Sequence, residues 1–237
     1  MAGTRAAQRR ATQTALITEA RQRFATEGYT AVRLSNVVDA LGMTKGALYH
    51  HFTSKHDLFR AVVQQVQQEV ADRVQAAARP GAGPWEELIA GCEAFLASYS
   101  SPETRQIMLI DAPTVLGWRE WKEMDGACSE RLLTEVLTSL MENGTLVSRP
   151  VEPMAHLLSG AMNEAALWLA ETDSPTALKD TMGALQCMLG SLRADRIAPT
   201  DGASSVAGMS QRLPSSDNVV LKGIREEPSA EDGARVL

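Results

Sequence analysis

The stretch that decides the fold is residues 12–60, which read TQTALITEARQRFATEGYTAVRLSNVVDALGMTKGALYHHFTSKHDLFR. Apolar residues recur at helical spacing in its first part, and Gly28 follows them as a stop signal, which predicts one amphipathic helix. A second short helix is predicted to end at Gly42, and Thr44 is placed to cap a third helix over 45–51. A helix, a tight turn and a short polar helix form the layout in which the second helix can lie in the major groove of DNA.

The charge of the chain is divided unevenly between this stretch and the rest. The whole sequence has 23 Lys and Arg against 29 Asp and Glu, a net charge of −6. Residues 1–60 hold nine basic and four acidic residues, which leaves 14 basic and 25 acidic residues for the remainder. A basic head on an acidic body is expected when one end of a protein meets phosphates, although chance clustering remains the alternative.

Helical periodicity continues beyond residue 60 without an alternating strand pattern, so the sequence predicts an all-α fold. Ser54 is placed to cap a long helix that runs to about residue 78 and links the head to a helical body. The run Pro80–Pro84 then breaks the helical pattern. The predicted organisation is a flexible arm over 1–11, a helix-turn-helix head over 12–75, a helical body over 80–196 and a disordered tail over 197–237.

The sequence offers nothing on which an enzyme could rest. GxSxG, P-loop, GxGxxG and HExxH patterns are all absent, so we expect no catalytic residues and no cofactor. No metal site is expected either, because the adjacent His50 and His51 would point about 100° apart on a helix. The number of cysteines is odd and none forms a CxxC pair, which favours free thiols in a reducing compartment. The sequence also has no secretory signal and no apolar run long enough to span a bilayer, so we expect a cytoplasmic protein without membrane contact.

The short third helix carries the side chains that suit DNA. Lys45, Tyr49 and His50 offer donors to phosphates and base edges. Gly46 is small enough for the backbone to approach DNA closely. At the far end we expect phosphate contacts, from His51 and Lys55, and the capping residue Thr44 can face a phosphate as well.

Four pieces of this region form a joint pattern that is highly specific. Gly28-Tyr29, the run Leu41–Phe52, Ser54-Lys55 and Leu58-Phe59 together closely resemble the DNA-binding head of TetR-family transcriptional regulators. The resemblance covers residues 12 to about 70. It implies an all-helical homodimer whose divergent C-terminal body holds a small-molecule pocket and dimerises through its last two long helices. Members of the family usually repress transcription and release DNA when a ligand binds.

The chain departs from the family pattern in two places, just before Leu34 and at Val38. Val32 and Arg33 stand where Thr or Ser is common, so Ser35 is a candidate cap for the second helix and Arg33 a charged replacement for a hydroxyl–phosphate contact. Val38 stands where a small Ala is usual, which affects packing between the first two helices. The complete set of candidate DNA contacts is Arg33, Ser35, Thr44, Lys45, Gly46, Tyr49, His50, His51 and Lys55.

The body contains many Met and Trp side chains, which adapt to irregular apolar shapes and suit a ligand pocket as well as ordinary helix packing. Asp111 lies in an apolar neighbourhood at a helix junction. It is a candidate either to hydrogen-bond a ligand or to cap the following helix, and we favour the cap. The candidate pocket residues are Met108, Asp111, Trp118, Trp121, Met162 and Trp168.

The resemblance leads us to expect a ligand-responsive repressor that binds a palindromic double-stranded DNA operator as a homodimer. Its two recognition helices should lie about 34–36 Å apart, one turn of DNA, or a multiple of this. A small apolar or amphipathic effector in the body would release the operator. Two other classes remain open, a dimeric adaptor whose body binds a protein, and an enzyme. Activation in place of repression is also open, because it depends on where the operator lies.

Overall fold

The computed structural model describes residues 2–78, 81–172 and 174–196. Within these residues the chain is almost entirely helical, and a single antiparallel bridge joins Leu146 to Arg193, so the all-α prediction is confirmed. The predicted disordered tail over 197–237 lies outside the described residues. The helices are α1 (Ala2–Ala31), α2 (Leu34–Ala40), α3 (Lys45–Tyr49), α4 (Lys55–Ala77), α5 (Pro84–Ser98), α6 (Pro102–Thr104, a π-helical turn over Arg105–Asp111, and Ala112–Val115), α7 (Trp118–Asp125, a π-helical turn over Gly126–Glu130, and Arg131–Glu142), α8 (Val151–Glu171) and α9 (Ala177–Gly190).

The first helix is longer than the sequence predicted. It begins at Ala2, so the prediction of a flexible arm was wrong for residues 2–11. Ala, Arg and Gln dominate that segment, and these residues have high helix propensity, so the helix continues backwards from the turn packed at Leu16. The predicted stop at Gly28 is confirmed: its φ of 74° and ψ of 159° end the regular helix, and the last residues of α1, up to Ala31, follow this kink as a separate short turn.

The head packs around three aromatic rings, which belong to an apolar core that continues into the body. Phe24 of α1 contacts Phe59 of α4 edge to face at 5.0 Å between ring centroids, and Tyr29 contacts the same Phe59 at 5.0 Å. Leu48 of α3 and Val37 of α2 are also fully or almost fully buried in this core. The packing fixes α2 and α3 against α1 and α4.

Helix α4 runs from the head into the body. Ser54 caps it as predicted, accepting a hydrogen bond from the Asp57 N–H at 3.0 Å. Val62, Val66 and Val70 recur every four residues and are buried, which gives the helix one continuous apolar side. The helix ends at Ala77, within a residue of the predicted end.

Helices α5 to α9 form the body around the C-terminal part of α4. The helical pattern over Ala112–Asn143 predicts a long helix that bends near Gly117 or Gly126 and stops at Asn143-Gly144. In the structure this helix is interrupted at Gly117, whose φ of +82° is incompatible with a continuous helix, and it contains a π-helical turn from Gly126. It ends before Gly144, as expected. These two irregularities set the direction of α7 across the body.

Candidate nucleic-acid interface and ligand cavity

The turn between α2 and α3 has the geometry that the sequence indicated. Gly42 has a φ of +63°, a conformation that L side chains rarely adopt. The Thr44 hydroxyl accepts a hydrogen bond from the Ala47 N–H at 3.2 Å, which confirms the predicted cap. Leu48 points inward and is 1% exposed, so α3 is anchored by one face and free on the other.

The free face of α3 carries the polar side chains expected to contact DNA. Tyr49 is 54% exposed, although a tyrosine would normally bury its ring. Lys45, Gly46 and His50 are exposed beside it, and Thr44 is exposed at the helix start. The unpaired N–H groups at that start add a positive field, so this surface suits an anion.

The residues flanking α3 are placed less uniformly. Arg33 is exposed at the start of α2, and Ser35 is half-buried. The suggestion that Ser35 caps α2 was wrong: its hydroxyl bonds the Asn36 side chain at 3.4 Å, and α2 has no side-chain cap. His51 is half-buried against Phe52, with 6.5 Å between ring centroids, so it presents less of its ring than His50.

Lys55 has surroundings that the sequence did not indicate. Its ammonium lies 4.4 Å from the centroid of the Tyr29 ring and donates to the Thr30 carbonyl at 3.3 Å. Burial lowers the pKa of Lys55, and the negative charge of Asp111 opposes this effect. Lys55 is therefore held against the end of α1, and its phosphate contact stays a prediction.

Asp111 lies at the junction of head and body. Its Oδ2 accepts a hydrogen bond from the Tyr29 backbone N–H at 2.8 Å, which joins α6 of the body to the end of α1. It gives no side-chain cap to the segment that comes after it, so the favoured capping role was wrong. Sequence patterns do not indicate such a contact, because Tyr29 and Asp111 are 82 positions apart.

A second polar link between head and body is centred on Arg21. Its guanidinium donates to both carboxylate oxygens of Glu69 in α4, at 2.5 and 2.8 Å, and also to Glu103 in α6. The hydrogen bond from Arg21 holds the pKa of Glu69 below its usual value. Paired donors of this kind fix orientation as well as distance, so α1, α4 and α6 are held in register.

The body contains a cavity of about 350 Å³ between α4, α5, α7 and α8. Its walls are mainly apolar, and three carboxylates are among the lining residues. Val74 and Gln75 of α4 form part of the wall, opposite Gly91 of α5. The lining residues are Val74, Gln75, Ala78, Glu87, Leu88, Gly91, Cys92, Phe95, Ser129, Glu130, Leu132, Leu133, Glu135, Val136, Ser139, Ser159 and Met162.

Of the six candidate pocket residues, the structure brings Met162 to this cavity and leaves the others elsewhere. Met108 and Trp121 are buried in the helical core, and Trp118 borders a separate shallow depression. Trp168 is half exposed on α8, and Asp111 is at the junction described above. Composition suggested Met and Trp for the cavity, whereas its apolar walls combine Val and Leu side chains with Ala78, Cys92, Phe95 and Met162 and contain no Trp.

Two polar residues of the cavity lining, Glu130 and Ser159, belong to a hydrogen-bonded group that no sequence pattern indicated. The Lys122 ammonium donates to Ser159 at 2.7 Å and pairs with Asp125 at 3.2 Å and with Glu130 at 3.1 Å. Asn163 donates to the buried Asp125 carboxylate at 3.2 Å. Since Ser159 and Glu130 also line the cavity, a ligand with a polar end would meet hydrogen-bonding groups there.

Other kinds of site have little support in the part of the chain that the structure describes. No group of three or more His, Cys, Asp or Glu side chains there is placed to hold a metal ion. No helix among those residues is long and apolar enough to cross a membrane. The three cysteines are free, and burial raises the pKa of Cys92 in the cavity wall to about 12, which suppresses its thiolate.

Comparisons with known proteins agree with this geometry. Residues 16–62 match the model described as bacterial regulatory proteins, tetR family, and residues 85–192 match the one described as tetracyclin repressor-like, C-terminal domain. The first match contains α3, and the second contains α5 to α9.

Individual proteins show the same likeness. A TetR-family transcriptional regulator from Pectobacterium atrosepticum has 30% identity and a TM-score of 0.66, over 79% of this chain and 96% of that one. The transcriptional activator FasR of Mycolicibacterium smegmatis is 34% identical over 34% of this chain and 36% of its own length. A transcriptional repressor of Mycobacterium tuberculosis is 30% identical over 48% of this chain and 60% of its own length.

The two curated relatives are thus matched over less than two thirds of their lengths, and one is an activator whereas the other is a repressor. The solved structure is matched over nearly its whole length, and both family models fall on the head and body described above. The chain belongs to the TetR family of helix-turn-helix transcriptional regulators.

Proposed function

We propose that this regulator is a homodimeric repressor that binds an inverted-repeat operator through two copies of α3 and releases it when a small apolar or amphipathic molecule fills the body cavity. Because its proposed target is DNA, we assign the protein to the cytoplasm. The observation that carries the proposal is the position of α4. One end of this helix packs in the head core through Leu58 and Phe59, and the other end lines the cavity through Val74 and Gln75.

DNA recognition is assigned to the exposed face of α3. Tyr49 and His50 are placed for base edges, and Lys45 for a phosphate. Gly46 allows close approach of the backbone, and the buried Leu48 keeps the helix from rotating. Arg33 and His51 extend the same contact to neighbouring phosphates.

Dimerisation is assigned to α8 and α9. Leu157 and Trp168 are 74% and 50% exposed on α8, and Met188 is 61% exposed on α9. Leu157, Ala161, Glu164 and Trp168 follow helical spacing, so they share one side of α8. An exposed apolar surface of this kind marks an interaction site, and the family dimerises through its last two long helices, so a second copy of the chain is the partner.

The effector is assigned to the cavity of about 350 Å³, a volume within the range of small-molecule sites. Its apolar walls would take the body of the molecule, and Ser159 and Glu130, which Lys122 holds in place, would take a polar group. This cavity favours a metabolite sensor over an adaptor whose body binds a protein.

Coupling between the two sites follows from a shift between two arrangements of α4. A ligand that binds more tightly to one arrangement raises its population, and DNA binding changes by the same coupling free energy. When the cavity is filled, the favoured arrangement of α4 holds the two α3 helices of the dimer too far apart to bind both half-sites of the operator. The Asp111–Tyr29 and Arg21–Glu103 links connect the body to the head in the arrangement described above.

The test is cell-free transcription from a promoter fragment that the purified protein retains from its own genome. Wild-type protein should lower transcription, and Tyr49→Ala protein should not. Apolar compounds that raise the melting temperature of the protein should restore transcription. Higher transcription with wild-type protein would show an activator, and stabilising compounds without effect on transcription would contradict the sensor role.

A further inference from the structure

The first four turns of α1 contribute no buried side chain to the core of the head. The first buried residue of α1 is Leu16, and all of residues 4–11 are exposed. At 1.5 Å per residue, the segment from Ala2 to Ala15 extends the helix by about 20 Å. The family model for the head begins at residue 16, so this extension lies outside it.

The charge of this extension is unusual for a helix start. Arg5, Arg9 and Arg10 are exposed, and α1 has no acidic residue before Glu19. No carboxylate among the described residues pairs with these three arginines, whereas Arg21 and Arg23 further along the same helix are both paired. Positive side chains at the positive end of a helix dipole repel it, so the free protein gains nothing from this arrangement.

The arrangement becomes favourable when an anion approaches. Free N–H groups, the helix dipole and three guanidinium groups then attract the same charge. Arg5 and Arg9 are four residues apart and share one side of the helix, which matches a row of phosphates better than a single anion. The arginine fork also suits phosphate oxygens geometrically.

The extension belongs to the helix that packs against α2 and α4 in the head, which favours DNA over polyanions that would meet the body. The polar contacts of α1 with the body are made by Arg21 and Tyr29, in its C-terminal half, so the extension projects from the opposite end of the helix. An anionic membrane is disfavoured, because residues 4–15 contain no Leu, Ile, Phe or Trp to enter a bilayer.

We propose that the helical extension over residues 2–15 is a second DNA contact, in which Arg5, Arg9 and Arg10 bind backbone phosphates flanking the half-site read by α3. It binds without reading bases, so it adds affinity and salt dependence and leaves the preferred sequence unchanged. The inference rests on the proposed function for the existence of an operator, but its charge contacts apply to any duplex.

The test compares two variants with the same change in net charge. One replaces Arg5, Arg9 and Arg10 with Gln, and the control replaces the exposed body residues Arg119, Arg149 and Arg196 with Gln. Affinity is measured against salt concentration on the operator, on an unrelated duplex, and on an operator trimmed to the bases that α3 covers. Circular dichroism checks that helical content is retained.

We expect the extension variant to lose affinity about ten-fold or more at low salt, and its log–log salt slope to fall by about 0.9 for each phosphate that the arginines no longer neutralise. The control variant should keep the wild-type slope, and trimming the duplex should weaken the wild type but not the extension variant. Equal slopes for all three proteins, or equal losses in both variants, would overturn the inference. Wild-type protein without sequence preference would refute the proposed function instead, and the unrelated duplex would still decide the inference.

Discussion

At the scale of single residues, Tyr49 combines a large ring with more than half of its surface open on a helix that is otherwise well anchored. Replacing it with Ala should leave folding intact and weaken operator binding by about 1–3 kcal/mol, because it removes the side chain that we propose contacts the base edges. Fluorescence anisotropy on a labelled operator measures the change, and Tyr49→Phe separates the hydroxyl from the ring. Wild-type affinity in Tyr49→Ala protein would remove this residue from the interface.

Asp111 gives a prediction about the junction of head and body. Asp111→Ala removes the acceptor of the Tyr29 N–H in a partly buried place, so the free energy of unfolding should fall by about 1–3 kcal/mol. Asp111→Asn keeps an oxygen acceptor and should lose less. Urea unfolding measures both variants, and equal stability of the two would show that the hydrogen bond is not what Asp111 contributes.

Glu69 gives a prediction about pH. The hydrogen bond from Arg21 lowers the pKa of Glu69 from its ordinary 4.5, so the folded state binds this proton less readily than the unfolded state. The stabilisation is therefore complete above about pH 4.5 and is lost as the pH falls through the lowered pKa. The stability difference between wild type and Glu69→Gln should shrink on acidification, measured by urea unfolding from pH 7 to pH 3. Glu142→Gln, at an exposed helix end, is the control, and a difference independent of pH would contradict this role of Arg21.

The sequence indicated residues well where their roles are local. The cap at Thr44 and the turn at Gly42 depend on neighbours within a few positions, and both have the expected geometry. The roles of Asp111 and Lys55 depend on partners far away in sequence, so no spacing rule points to them. The cavity walls were missed for the same reason, since four separate helices contribute to them.

At the scale of elements, α4 and α5 approach closely at Gly91. A Cβ added there would lie 3.4 Å from the Val74 methyl group, and a larger side chain would enter the cavity. Gly91→Leu should therefore mimic a filled cavity, displace the C-terminal end of α4 and weaken operator binding. Gly91→Ala is the matched control and should bind the operator like wild type, since its methyl group makes only a van der Waals contact. Wild-type affinity in a folded Gly91→Leu protein, checked by anisotropy and circular dichroism, would argue against α4 as the lever.

Helix boundaries were predictable where the sequence contains a strong start or stop residue. Gly28, Ser54 and Gly144 mark ends that the structure places as expected. The start of α1 was not predictable in this way, because a polar, basic segment without apolar periodicity resembles a flexible arm. Its Ala, Arg and Gln residues nevertheless favour extension of a helix that is already formed further along the chain. The π-helical turns also escaped the sequence, since side-chain packing in the body decides them.

At the scale of the whole molecule, dimerisation decides whether two α3 helices meet one operator. Leu157→Glu places a charge on the exposed apolar side of α8, which should convert a dimer into monomers and reduce operator affinity about ten-fold or more, because each half-site then binds alone. Trp118→Glu, at a comparably exposed apolar residue of α7, is the control and should remain dimeric. Sedimentation equilibrium measures both variants. A Leu157→Glu protein that stays dimeric would move the interface elsewhere.

The central claim is that this chain reads one DNA sequence as a dimer, and selection of the purified full-length protein on random duplex DNA at moderate salt tests it most directly. We expect enrichment of a single inverted repeat, with half-site centres about 10 base pairs apart or a multiple of this. Tyr49→Ala protein should fail to enrich it. Salt-sensitive binding to all sequences without enrichment would contradict the claim, because the exposed face of α3 would then contact phosphates without reading bases.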